Sequence, residues 1–205
     1  MFITFEGIDL SGKSTQAKLL YARLKKKNKK VILVREPGGT VISEKIRNIL
    51  LDKKNINMPA LTEFLLFSAS RHQLTEEIIR PHLKKGYYVI CDRYFDSSTA
   101  YQGYGGKVKP VIINRINKIV TNNLIPDISF LIDVSLEETI KRRKILKKEH
   151  DRMEAKTRIY YKKVISGYRT IARINSGRYE VINGNKSIEE IHNEIFTKIE
   201  NLKIK

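Results

Sequence analysis

Cysteine is nearly absent from this chain. Cys91 stands alone, so no internal disulfide is available and the fold must rest on a buried core. Tryptophan is missing altogether, and five prolines in 205 residues leave no proline-rich linker. There is no internal repeat and no low-complexity tract, so a single domain over residues 1–205 is expected. No apolar run approaches bilayer-spanning length, and no membrane role is expected. The N-terminal residues read as a core strand rather than a signal peptide. With the lone thiol, this implies a reducing, cytoplasmic setting.

Acidic residues are scarce as well: 22 Asp+Glu stand against 40 Lys+Arg, a net charge of +18. Such an excess raises the question of nucleic acid. Here the basic positions are spread along the chain and no nucleic-acid motif accompanies them. The densest group, Lys25, Lys26, Lys27, Lys29 and Lys30, falls at a helix end, where cations suit the dipole. No specific nucleic-acid partner is expected.

What is present begins with Gly7-Ile8-Asp9-Leu10-Ser11-Gly12-Lys13-Ser14, which fits the phosphate-binding P-loop pattern. Its glycines let the backbone curl so that successive N–H groups face phosphate oxygens, and the following helix adds its positive N-terminal end. Lys13 can reach the β- and γ-phosphates of a nucleoside triphosphate, and Ser14 can hold Mg²⁺. The context suits the motif. Phe2-Ile3-Thr4-Phe5 before it reads as a buried strand, and Ala17, Leu20, Tyr21 and Leu24 after it fall on one helical face.

Four more apolar runs alternate with helical patterns: Val31-Ile32-Leu33-Val34, Tyr88-Val89-Ile90-Cys91, Ile128-Ser129-Phe130-Leu131-Ile132 and Tyr179-Glu180-Val181-Ile182. The expected fold is α/β, a five-stranded parallel sheet flanked by helices on both faces. Ligands of such sheets bind beyond the C-terminal strand ends. The unusual residues lie there: Asp9 to Ser14, Arg35 to Thr40, Asp92-Arg93-Tyr94, Asp133 and Asn183-Gly184-Asn185. The charged segment 141–152 reads as a short helical lid. The last helix carries Ile188, Ile191, Ile195 and Ile199 on one face, with Leu202 beside them, a stripe expected to be core.

Phe5-Glu6-Gly7-Ile8-Asp9 running into Gly12-Lys13-Ser14-Thr15 opens an ordered set of motifs. It continues through Arg35-Glu36-Pro37-Gly38-Gly39-Thr40, Leu65-Leu66-Phe67-Ser68-Ala69-Ser70-Arg71, the run from Asp92 to Gly103, Pro126-Asp127 and Asp151-Arg152-Met153-Glu154. Over essentially its full length the chain resembles the thymidylate kinases of the P-loop nucleoside monophosphate kinase superfamily. The resemblance implies phosphorylation of dTMP to dTDP by ATP with Mg²⁺, in dTTP synthesis. Donor ATP would be held by Gly7, Ile8, Asp9, Leu10, Ser11, Gly12, Lys13, Ser14 and Thr15.

The resemblance also assigns the acceptor site. Phe67 stacks on the thymine and Arg71, one helical turn on, hydrogen-bonds it. Arg93 clamps the dTMP phosphate, Asp92 joins Ser14 near Mg²⁺, and Asp9 meets the sugar 3′-hydroxyl. Tyr101 lies against the deoxyribose, with Gln102 and Ser98 near the base. Glu36 belongs to a loop over the acceptor, where Glu36–Pro37 admits a cis bond, and Arg47 reaches toward the phosphate. For Asp92 a structural ion pair is the alternative, and for Arg47 a solvated helix face.

The P-loop has no arginine, since Leu10 and Ser11 fill the positions where some relatives carry one. The resemblance therefore places the catalytic arginine in the lid, as Arg142 or Arg143, alongside Lys13, Asp9 and Arg93 in the catalytic set. Thymidylate kinases are commonly dimeric, and the apolar content near Pro59–Phe67 and Pro110–Val120 suits a homodimer. Alternatives are a kinase for a deoxynucleoside or another monophosphate, or a nucleic-acid-binding P-loop protein. A GTPase would carry Asn-Lys-x-Asp, and Asn117-Lys118-Ile119-Val120 lacks the acid.

Overall fold

The computed structural model describes residues 1–147, 152–153 and 156–202. The five expected strands form, as β1 (Phe2–Glu6), β2 (Val31–Arg35), β3 (Tyr88–Asp92), β4 (Ile128–Asp133) and β5 (Tyr179–Asn183). They pair in parallel in the order β2-β3-β1-β4-β5. The strand β1 takes the centre with every residue buried, as a strand covered on both faces must be.

Alternation along the strands feeds two cores. Ile3, Phe5, Ile90, Phe130, Ile132 and Ile182 face α1 (Lys13–Lys26) and α9 (Ile188–Leu202), meeting Leu20, Leu24, Ile195 and Ile199. Phe2, Val89 and Cys91 face the other way, against Leu74, Ile79 and Tyr94. A third cluster, including Ile8, Tyr101, Leu131, Val164 and Tyr168, lies beneath α8 (Arg158–Ile174). Cys91 is buried, as its place in a strand suggested.

The stripe on α9 is shorter than its periodicity implied. Ile191, Ile195 and Ile199 are buried, but Ile188 is 60% and Leu202 40% exposed. Both occupy terminal turns that project past the packed face. Ile188 instead borders the cleft at the P-loop, and its carbonyl accepts a 2.9 Å bond from Gln16 Nε2.

Between β2 and β3 run α2 (Val41–Leu51), α3 (Ala60–Leu74) and α4 (Arg80–Lys84), with Thr40 capping α2 through a bond from Ser43 N. After β3 come α5 (Phe95–Ser98), a π-helical turn at Thr99–Gly105 and α6 (Pro110–Thr121). The charged run begins as the C-terminal half of α7 (Leu136–Leu146); Ser135 caps α7, and Lys147 ends it with a positive φ of 48°. The rest of the expected lid falls largely on residues 148–151, and these, like Glu154 of the Asp151–Glu154 motif, lie outside the described residues. Arg152 and Met153 are described.

Candidate active site

The P-loop joins β1 to α1 through backbone that only certain residues can take. Gly7 has a φ of 138°, and a Cβ there would stand 2.7 Å from the Ile132 carbonyl oxygen. Leu10 and Gly12 also have positive φ, 63° and 104°. Gly12 offers no side-chain cap, and the first turn of α1 holds no acid, so its amides stay unspent for an anion. Gly7 and Ile8 form the base of this turn, Ile8 buried in the core. Asp9, Leu10, Ser11, Gly12, Lys13, Ser14 and Thr15 line an open cleft that continues to Arg142, Gly184 and Lys186.

Lys13 is buried. Burial and nearby Arg93 push its ammonium below the ordinary value, against the pull of Asp92, Asp9 and Glu6. Its Nζ lies 3.8 Å from Asp9 Oδ1. Ser14 donates a short hydrogen bond to Asp92 Oδ2, while Asp92 Oδ1 is buried without a partner. A hydroxyl, one carboxylate and an orphaned oxygen beside a polyphosphate cradle fit Mg²⁺, which prefers one or two carboxylates plus phosphate oxygens to a dedicated cage. Among the described residues, no cluster of three or more His, Cys, Asp or Glu could hold a metal.

A second, narrower cavity adjoins the cleft. It brings together every residue assigned to the acceptor: Asp9, Glu36, Arg47, Phe67, Arg71, Arg93, Ser98, Tyr101 and Gln102, with Pro37, Leu51, Ser97 and Met153. Arg93 sits between the two spaces, at a φ of 73°. Its Nη2 donates to Asp9 Oδ1 at 2.7 Å, and its Nη1 donates to Gly7 O at 2.7 Å and Tyr168 Oη at 3.0 Å. Burial opposes the charge on Asp9, but Arg93, Lys13 and the Tyr101 hydroxyl at 3.0 Å prevail and hold its carboxyl well below the usual range.

Under Arg93 lies Glu6, fully buried at the end of β1. It accepts from Tyr94 N at 2.8 Å, Ser97 Oγ at 2.6 Å and Tyr168 Oη at 3.3 Å. Burial, reinforced by Asp96, pushes its pKa up to about 8 against Ser97, Arg93 and Tyr94.

Arg71 is 1% exposed. It donates from Nε to Glu36 at 2.9 Å, from Nη2 to Ser98 Oγ at 2.8 Å and from Nη1 to Asn117 Oδ1 at 3.1 Å. Glu36 precedes a cis bond to Pro37, as the sequence allowed. Burial lifts its pKa to about 7 against Arg71, and its Oε1 has no partner. Arg47 is not a solvated face residue: its Nη1 donates to Pro37 O at 2.8 Å, fixing the loop. Gln102 Nε2 donates to Glu63 Oε1 at 3.0 Å, and Arg152 Nη1 to Glu63 Oε2 at 2.7 Å.

Of the lid arginines, Arg142 lies across the P-loop. It donates to Leu10 O at 3.2 Å, Ser11 O at 2.9 Å and Gly184 O at 2.7 Å, steadied by Glu138 at 2.9 Å. Arg143 follows on α7 and does not border the cleft among the described residues. Arg152 is buried under α2, donating to Leu50 O at 2.6 Å.

Glu6, Glu63 and Asn117 escaped the sequence reading. Glu63 had a signal: it shares the helical face of Phe67 and Arg71, an acid within an apolar stretch. Asn117 was weighed only as part of an incomplete guanine-recognition motif.

The family profile described as "Thymidylate kinase" matches residues 5–195. A thymidylate kinase from Thermosipho africanus is 46% identical over 200 residues, covering 98% of each chain. One from Mycoplasma capricolum is 42% identical over 195 residues, covering 95% of this chain and 92% of that one. The crystal structure of a thymidylate kinase from Ehrlichia chaffeensis is similar with a TM-score of 0.79 at 38% identity, over 97% of this chain and 98% of that one.

Proposed function

The chain belongs to the thymidylate kinase family, and we propose that it transfers the terminal phosphoryl group of ATP to the phosphate of dTMP, giving dTDP and ADP. The observation that carries this reading is the position of Asp9. It is a P-loop residue, yet it binds Arg93 and Tyr101 of the neighbouring cavity. Donor cradle and acceptor pocket therefore share one wall, which is what in-line transfer between two anions requires.

In this reading the P-loop amides and Lys13 neutralise the donor phosphates. Burial and Arg93 lower the Lys13 pKa, and a polyphosphate beside it would favour its charged form. Ser14 and Asp92 would hold Mg²⁺, which would supply charge neutralisation at the donor phosphates. Arg93 presents its planar fork to the acceptor phosphate. Phe67 packs on the thymine, Tyr101 lies against the deoxyribose, and Asp9 accepts from the 3′-hydroxyl. Arg142, already against the P-loop, supplies positive charge to the transferring group, an effect worth about 10³-fold or more in related phosphoryl transfers.

Among the described residues no helix is long and apolar enough to cross a membrane. We place the reaction in the cytoplasm, within dTTP synthesis, and assign the active form as a homodimer. Support for the dimer comes from Leu61 and Leu65 on α3 and Val111, Ile112 and Ile119 on α6, all exposed. A steady-state assay with ATP–Mg²⁺ and a panel of acceptors tests the reading. Turnover with dTMP is expected; phosphorylation of thymidine but not dTMP would overturn it.

A further inference from the structure

We propose that Glu63 is the positioning residue that sets which pyrimidine the acceptor pocket takes, an inference that rests on the assignment of that pocket to the acceptor base. Glu63 itself does not border the pocket; it acts through Gln102, which does.

The chemistry follows from what each group can give. Glu63 is 3% exposed, and its Oε2 faces two cations, Arg152 Nη1 at 2.7 Å and Lys156 Nζ at 3.6 Å. A carboxylate so paired accepts hydrogen bonds and donates none. Gln102 must therefore turn its NH₂ toward Glu63, as the 3.0 Å bond from Nε2 to Oε1 records. That anchors the amide in one orientation, with Oε1 on the opposite arm as the acceptor it can offer the ligand. Without Glu63 the amide could rotate and offer either face.

Arg71 supplies the opposite polarity. Glu36 engages its Nε and lies 2.9 Å from Nη2, Ser98 takes the other Nη2 proton and Asn117 one Nη1 proton, so the remaining Nη1 proton is the donor it has for a ligand. The pocket thus pairs a fixed donor with a fixed acceptor. Thymine and uracil carry the complement, a carbonyl oxygen at C4 beside an N3–H. Cytosine carries the reverse, an amino group beside a bare N3, and would leave buried donors and acceptors unpaired on both sides. Sites that reject a ligand by unpaired polar groups discriminate far more sharply than apolar pockets do.

The experiment compares kcat/KM for dTMP and for dCMP, with ATP–Mg²⁺, in the wild type, Glu63→Gln and Gln102→Ala. Glu63→Gln keeps the shape but can donate as well as accept, which frees the Gln102 amide to rotate. The wild type is expected to prefer dTMP strongly, and the ratio should fall at least about tenfold in Glu63→Gln, mostly through KM. A purely structural role would lower both substrates together and leave the ratio unchanged; that outcome overturns the proposal. Gln102→Ala retains the Glu63–Arg152 pair and removes the amide. It should also lower the ratio, and an unchanged ratio there overturns the proposal even if Glu63→Gln fails to fold. Failure of the underlying site assignment looks different: the wild type itself would show no preference for dTMP.

Discussion

Arg93 Nη2 and Asp9 Oδ1 stand 2.7 Å apart at the boundary between the two cavities, with Lys13 Nζ 3.8 Å from the same oxygen. One carboxylate thus orders two cations, Lys13 in the P-loop cleft and Arg93 where the two cavities meet. Arg93→Ala should lower kcat/KM for dTMP by about 10²-fold or more while changing KM for ATP little. Arg93→Lys should recover only a small part, because a point charge cannot reproduce the fork that also binds Gly7 O and Tyr168. Initial-rate kinetics with each substrate varied would check this, and full rescue by lysine would contradict it.

Lys13→Ala should nearly abolish turnover by removing charge at the donor phosphates. Arg142→Ala with Arg143→Ala should reduce kcat more than it weakens ATP binding, since the gain from such arginines is realised in the transition state. Nucleotide binding by calorimetry beside kcat from the steady-state assay separates these effects. An unchanged kcat in the double variant removes Arg142 and Arg143 from the chemistry.

Chelation of divalent ions should stop turnover reversibly. Asp92→Asn should raise the Mg²⁺ concentration needed for half-maximal rate by about tenfold or more, because it removes the charge next to the orphaned Oδ1. A Mg²⁺ titration that superimposes on the wild type would show that Asp92 serves the sheet rather than the ion.

Stability should fall as pH rises across the neutral range. Glu6 and Glu36 are raised in the folded protein from 4.5 to about 8 and about 7. The stability each lends is therefore complete below about pH 4.5 and lost as pH climbs through those values. Asp9 works in the opposite sense: its lowered pKa lends stability above its ordinary 3.8 that is lost in acid. Urea titrations from pH 5 to 8 should show a decline on the order of 1 kcal/mol per pH unit. Glu6→Gln should remove the part of the decline above about pH 7 and lessen the slope below it, where Glu36 still contributes; an equally steep decline in that variant would exclude Glu6 as a source.

The exposed apolar residues on α3 and α6 should be the dimer contact. Leu65→Glu combined with Val111→Glu should halve the mass measured by sedimentation at micromolar concentration, with little change in circular dichroism. A wild type that sediments as a monomer would defeat the assignment.

The strands were legible because their signals are local. The runs of β1 to β5 stand within a residue of their expected bounds, and the P-loop, Arg35–Thr40 and Asp92-Arg93-Tyr94 follow strand ends, where a parallel sheet gathers ligand sites. Phe67 and Arg71 lie instead within α3, and only the family resemblance pointed to them. Glu6 and Glu63 were not legible in the same way. Their roles come from partners 88 and 39 residues away, Tyr94 and Gln102, and no local pattern encodes such a distance. Asn117 was missed because its motif was judged by the acid it lacks, whereas its carbonyl is spent on Arg71. Ile188 was misplaced because periodicity alone does not say where a helix outruns the surface it covers.

Asp9 lies four residues before Lys13 on one continuous loop, so in the proposed assignment the spacing between the acceptor's sugar and the donor's phosphates is written into a single peptide segment. Transplanting that segment into another phosphotransferase would carry part of the recipient preference along with the grip on ATP, and the two traits could not evolve independently at this point of the chain.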